Sequence, residues 1–145
     1  MPMVVARPRL LQALHTAIGQ RPIVVLTGPR QCGKTTLARQ ILDPDAHTYF
    51  DLGDPRTRAL FEEPMTALEP LRGLVVIDEV QLAPDHFPLL RVLADRRPLP
   101  ARFLILGSAS GDLLRQSSES LAGRVTHLRM GGFTLDEIES ARGRL

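Results

Sequence analysis

Ile23-Val24-Val25-Leu26-Thr27-Gly28-Pro29-Arg30-Gln31-Cys32-Gly33-Lys34-Thr35 carries more structural information than any other segment of this 145-residue chain. Its first four residues are apolar and rich in β-branched side chains, so they read as a strand buried on both faces. A helix is predicted from about Thr35 to Leu42, with Pro44 marking its end. Between them lies a G-x-x-x-x-G-K-[ST] loop in the context that a P-loop requires, strand before and helix after. Gly28 and Gly33 let the backbone curl so that successive N–H groups point at phosphate oxygens. The helix start adds the positive end of its dipole. Lys34 reaches the β- and γ-phosphates as a point charge, and the Thr35 hydroxyl ligates Mg²⁺. The predicted nucleotide-binding set is Gly28, Pro29, Arg30, Gln31, Cys32, Gly33, Lys34, Thr35 and Thr36. The alternative is a glycine-containing turn that happens to end in Lys-Thr.

The rest of the chain fits around that unit. The length suits one domain, and it is enough to bury a sizeable core. Residues are 43% hydrophobic and 23% charged, as in ordinary soluble proteins. No apolar run approaches a membrane span, and the first ten residues lack the pattern of a secretory signal. One cysteine forms no internal disulfide, which suits a reducing cytoplasm. A net charge of +2 does not by itself support a nucleic-acid partner. Of the 18 basic residues, 17 are arginine. The one lysine is Lys34, where a compact ammonium suits the phosphate cradle better than a planar guanidinium does.

Strand and helix signals alternate outward from the loop. A helix is predicted over Arg9 to Ile18 from the spacing of Leu10, Leu11, Leu14, Ala17 and Ile18, with Gly19 as its stop. Further strands are predicted at Thr48–Leu52, Leu74–Ile77, Arg102–Leu106 and Val125–Met130. Pro55 to Leu71 reads as helical turns broken by Pro64 and Pro70. Pro88 opens a helix through Leu93, and Leu113 to about Leu121 forms another. Thr134 and Glu137 fit a capping box for a last helix. Alternation of this kind predicts an α/β fold, a parallel sheet with helices on both faces and ligands beyond the carboxyl ends of the strands.

Asp78-Glu79 follows the apolar run Leu74–Ile77 at such an end, in the pattern of Walker B. Asp78 is the expected Mg²⁺ ligand, usually through its water shell. Glu79 is placed to polarise an attacking water. The alternative is an acidic pair capping a strand-to-helix turn. A glutamate directly after the aspartate marks the hydrolysing branch of P-loop proteins, with an extra strand between the P-loop strand and the Walker B strand. Here that strand is Arg102–Leu106. Asp51 and Asp54 read mainly as turn chemistry. Tyr49, Phe50 and Phe61 read as core. The four histidines have no metal-ligand spacing.

Taken jointly, LTGPRQCGKTTL (26–37), FDLGDP (50–55), VVIDEVQ (75–81), FLILGSAS (103–110) and SESLAGR (118–124) resemble a known family. It is the prokaryotic AAA-type ATPase domain that stands at the N-terminus of ATP-binding proteins with a C-terminal domain of uncharacterised function. Phe133 to Glu137 matches a following segment. The resemblance implies a three-layer α/β/α core with a five-stranded parallel sheet, and ATP and Mg²⁺ as ligands. It implies catalytic roles for Lys34 and Glu79, with Ser108 as a sensor between γ-phosphate and water. It implies Arg124 as a finger toward a neighbouring subunit's nucleotide, hence a homo-oligomer. A strand-ending serine and a surface or ion-paired arginine are the alternatives for the last two. The helical lid and C-terminal domain of the family have no counterpart, so residues 1–145 are expected to be a single core. The expected activity is ATP hydrolysis coupled to a protein partner or a missing domain, in the cytoplasm. A nucleotide-dependent switch with negligible turnover is the second reading, and a small P-loop kinase the third.

Overall fold

The computed structural model describes residues 8–28, 38, 48–80, 86–108 and 111–129. In chain order the elements are α1 (Pro8–Gln20), β1 (Ile23–Thr27), β2 (Thr48–Asp51), α2 (Pro55–Leu60) and α3 (Pro64–Leu68). There follow β3 (Gly73–Asp78), α4 (Phe87–Ala94), β4 (Ala101–Gly107), α5 (Gly111–Ser120) and β5 (Val125–Arg129). The five strands form one sheet in the order β2-β3-β4-β1-β5, and every pairing is parallel. β4 lies between β1 and β3, as the Asp-Glu pair predicts.

The apolar runs divide between two cores by the two-residue period of a strand. Ile23, Val25, Val75, Ile77, Phe103 and Ile105 face α2 to α5, packing on Phe61, Leu68, Phe87, Leu90 and Leu113. Val24, Leu26, Val76, Leu104 and Leu106 face the other way, toward Leu14 and Ala17 of α1 and toward Ala38. This is the three-layer α/β/α arrangement. The edge strands β2 and β5 are only half-buried, whereas β1 is buried throughout.

Local chemistry sets several boundaries. Asp54 caps α2, accepting from the Arg56 N–H at 2.9 Å, and Pro55 fills the first helical position. Pro64 likewise begins α3, so this proline starts a helix and does not break one, α2 having already ended at Leu60. Gly19 does not stop α1, which runs on to Gln20. The cap comes from elsewhere: the Arg102 guanidinium on β4 donates to the carbonyls of Ile18 at 2.7 Å and Arg21 at 3.1 Å. The predicted helix after the P-loop lies outside the described residues except for Ala38, which is helical and fully buried. Met130 and the Thr134–Glu137 capping box also lie outside them.

Candidate nucleotide site

The carboxyl ends of β1, β4, β3 and β2 lie side by side. β1 hands the chain to Gly28, whose N–H donates to the Gly107 carbonyl at 3.2 Å. The loop therefore leaves the sheet tied to the end of β4, and Ser108, half-buried, comes directly after that residue. One strand further on, β3 ends in Asp78, only 6% exposed. β1 and β3 are two strand spacings apart, roughly 10 Å. The remainder of the predicted phosphate loop, Pro29 to Thr36 with Cys32, Gly33, Lys34 and Thr35, lies outside the described residues.

Asp78 is held on both carboxylate oxygens. The Tyr49 phenol on β2 donates to Oδ2, and the Glu79 backbone N–H donates to Oδ1 at 2.8 Å. The Asp78 carbonyl accepts from the Leu52 N–H at 3.1 Å, which ties the ends of β2 and β3 together. Tyr49 pairs with Val76 in register, and Asp78 stands two residues beyond Val76 on the same face. A long aromatic side chain spans such a diagonal. That face also carries Leu26, Leu104 and Ala38. Ala38, four positions after Lys34, therefore packs on Asp78's side of the sheet.

Glu79 has φ of 60°, and among the described residues it is the one non-glycine residue with positive φ. That conformation costs on the order of 1–2 kcal/mol for a residue with a Cβ. The bond from its N–H to the preceding carboxylate helps to hold it there. Strain of this kind concentrates where a side chain must be aimed. The turn puts two adjacent carboxylates into different surroundings, Asp78 buried and Glu79 half-buried.

Asp51 and Asp54 serve the turn after β2, as their spacing suggests. Asp51 accepts from the Gly53 N–H at 2.8 Å. Asp54 caps α2, and its carboxyl is held below the usual range by the Arg56 guanidinium. Phe50 and Phe61 are core residues in edge-to-face contact at 5.1 Å. Tyr49 is the exception: its ring packs with the core, but its hydroxyl belongs to the site. Sequence reasoning missed it because a tyrosine in a short apolar strand looks like packing. Its partner is also 29 positions away. Laying β2 beside β3 in register is the signal that finds it.

Arg124 lies elsewhere. It precedes β5, at the amino end of the sheet, where its carbonyl accepts from the Ile23 N–H. Its guanidinium makes a two-point ion pair with Asp95, at 2.6 Å from Nε and 2.9 Å from Nη2, and also donates to the Ala122 carbonyl. The hydrogen bond from Arg124 holds the Asp95 carboxyl below its usual range. Within one chain, Arg124 is thus an ion-paired residue away from the carboxyl ends. Gly123 before it has φ of +80°, which lets the chain turn sharply into β5.

An AAA domain family matches residues 20–139. The chain belongs to that family. Two curated relatives, uncharacterized proteins Rv2008c of Mycobacterium tuberculosis and Mb2031c of Mycobacterium bovis, are each 51% identical to this AAA domain over 136 residues. The match covers 94% of the chain and 30% of each relative, so the chain spans under a third of their length. Among solved structures, the Walker-type ATPase PABY2304 of Pyrococcus abyssi superposes with a TM-score of 0.69 at 17% identity. That likeness covers 97% of this chain and 57% of the other. The P-loop NTPase domain of an Escherichia coli sigma-54 transport activator gives 0.52 at 17% identity, covering 86% and 98%. Both show the fold, that of a P-loop NTPase. No helix among the described residues is long and apolar enough to cross a membrane.

Proposed function

We propose that this AAA domain binds ATP with Mg²⁺ at the Gly28–Thr35 loop and hydrolyses it. The observation that carries the reading is the turn at the end of β3. A buried, doubly hydrogen-bonded Asp78 there is followed by Glu79 in a strained backbone conformation. The loop's N–H groups and Lys34 hold the phosphates. Hard oxygen groups suit Mg²⁺: the Thr35 hydroxyl would ligate it, and the Asp78 carboxylate would hold it through its water shell. A Mg²⁺ ion held by these residues would supply charge stabilisation at the β- and γ-phosphates. Glu79 accepts a proton as a water oxygen bonds to the γ-phosphorus, and the bond to the β–γ bridging oxygen breaks to leave ADP. Ser108 orients that water from the end of β4. Arg124 contributes from a second copy, for which it must leave Asp95. What the cycle drives belongs to a partner or to the further length seen in the relatives. The reading places the protein in the cytoplasm.

Phosphate release by the purified chain, with and without candidate partners and DNA, tests this. Steady turnover is expected. Lys34→Ala should abolish nucleotide binding, and Glu79→Gln should bind ATP without turning it over. Full turnover in Glu79→Gln would overturn the catalytic assignment. Tight binding with no turnover in the unaltered chain would replace it with a nucleotide-dependent switch, and transfer of phosphate to a metabolite would make it a kinase. An elution volume unchanged by ATP would remove the role of Arg124 between copies.

A further inference from the structure

We infer that Tyr49 is a positioning residue, its phenol fixing the Asp78 carboxylate in the orientation that Mg²⁺ on the bound nucleotide needs. The inference rests on the nucleotide reading above, and it concerns a residue outside every motif in this sequence.

A carboxylate has about four acceptor sites and can turn about its Cβ–Cγ bond. At Asp78 the two oxygens are engaged from two directions, Oδ1 by the turn that follows and Oδ2 by the neighbouring strand. The first bond comes from the backbone and is made whatever the side chain at position 79. The second comes from a side chain on the neighbouring strand, the Tyr49 hydroxyl. Asp78 is only 6% exposed, so bulk water is a poor substitute for that hydroxyl. Asp51, the residue of β2 directly opposite Asp78, binds the Gly53 N–H instead.

The Tyr49 ring also has a packing role among the apolar residues of the Val76 face. Tyr49→Phe keeps the ring and removes only the donor. Partners that orient a metal's ligands typically change metal affinity 10–100-fold when lost. Asp78 is expected to act through water, which places the effect near about tenfold.

The experiment is a titration of a fluorescent ATP analogue bound to the full chain against Mg²⁺, with thermal melts alongside. The chains compared are the unaltered one, Tyr49→Phe, Asp78→Asn and the double variant. Without Mg²⁺, Tyr49→Phe should bind the analogue as the unaltered chain does. The Mg²⁺ concentration that half-completes the tightening should rise about tenfold. In the Asp78→Asn background the second substitution should change nothing, because Tyr49 acts through Asp78. An unchanged Mg²⁺ midpoint in Tyr49→Phe would overturn the inference while leaving nucleotide binding intact. An equal shift with Asp78 already replaced would overturn it too, as would loss of the cooperative melt in Tyr49→Phe. An unaltered chain that binds no analogue would overturn the nucleotide reading and this inference with it.

Discussion

At the amino ends of the strands, arginines close off the backbone's open carbonyls. Arg102 donates to Ile18 and Arg21, Arg21 to Gly123, Arg96 to Leu93 and Glu69, and Arg124 to Ala122. At the carboxyl end of β3 a carboxylate is held by a phenol and a backbone N–H, and the backbone is strained at Glu79. One end of the same sheet relieves the unmet needs of helix and strand termini. The other concentrates strain and charge. The difference also gives part of the arginine bias a physical reason. A guanidinium offers five donors in a fixed fork and can serve separate carbonyls from different nitrogens, as Arg96 does from Nε and Nη1, whereas an ammonium's three donors all share one nitrogen.

The contrast can be broken by substitutions at either end. The largest expected effect is at Glu79. Glu79→Gly should lower turnover by roughly 10²–10⁴-fold, the usual share of a general base. Stability should nevertheless rise by up to about 1 kcal/mol, because glycine adopts positive φ without a steric cost. Phosphate release and a urea melt on one preparation check both signs. A fall in stability would mean that the turn is not strained.

Arg102→Met comes next and should behave oppositely. Losing two charge-assisted bonds to carbonyls should cost about 1–2 kcal/mol in a denaturant melt. Nucleotide affinity measured well below the melting temperature should stay the same. A clear loss of affinity would show that the two ends are coupled.

The smallest effect is expected at Asp95. Its folded-state carboxyl is held below the usual range by Arg124, so its contribution is present above the unfolded value near pH 3.9 and is lost as pH falls through the folded one. Asp95→Asn should lower the neutral-pH melt only slightly, as for an exposed pair, and the difference from the unaltered chain should vanish below about pH 4, where neither chain carries the charge. In the unaltered chain, salt should weaken the pair at neutral pH. A large neutral-pH change would sharpen the comparison differently, by giving this ion pair a structural weight that exposed pairs rarely have.

The architecture was largely legible because its signal is local. β1, β3 and β4 are apolar on both faces, and no other element of this length requires that. The Asp-Glu pair even foretold that β4 would separate β1 from β3. Gly19 misled because the end of α1 is capped by Arg102, 84 positions from Ile18, and no local rule sees that distance. Tyr49 was overlooked for the same kind of reason: its role appears only when β2 and β3 are laid in register. The conformation of Glu79 had no signal at all, since nothing about glutamate announces a left-handed turn.

Sheet order has a consequence for protection against hydrogen exchange. β1 is bonded along both sides, to β4 and β5, whereas β2 is an edge with β3 alone. Amides of central strands open mainly when the whole domain does, and edge amides open in local fluctuations. The site therefore spans a central strand and an edge strand, expected to exchange slowly and quickly, with Gly28 leaving the one and Tyr49 standing on the other. A ligand that secures Asp78 should register first as quietening of β2, at residues that need not touch the ligand.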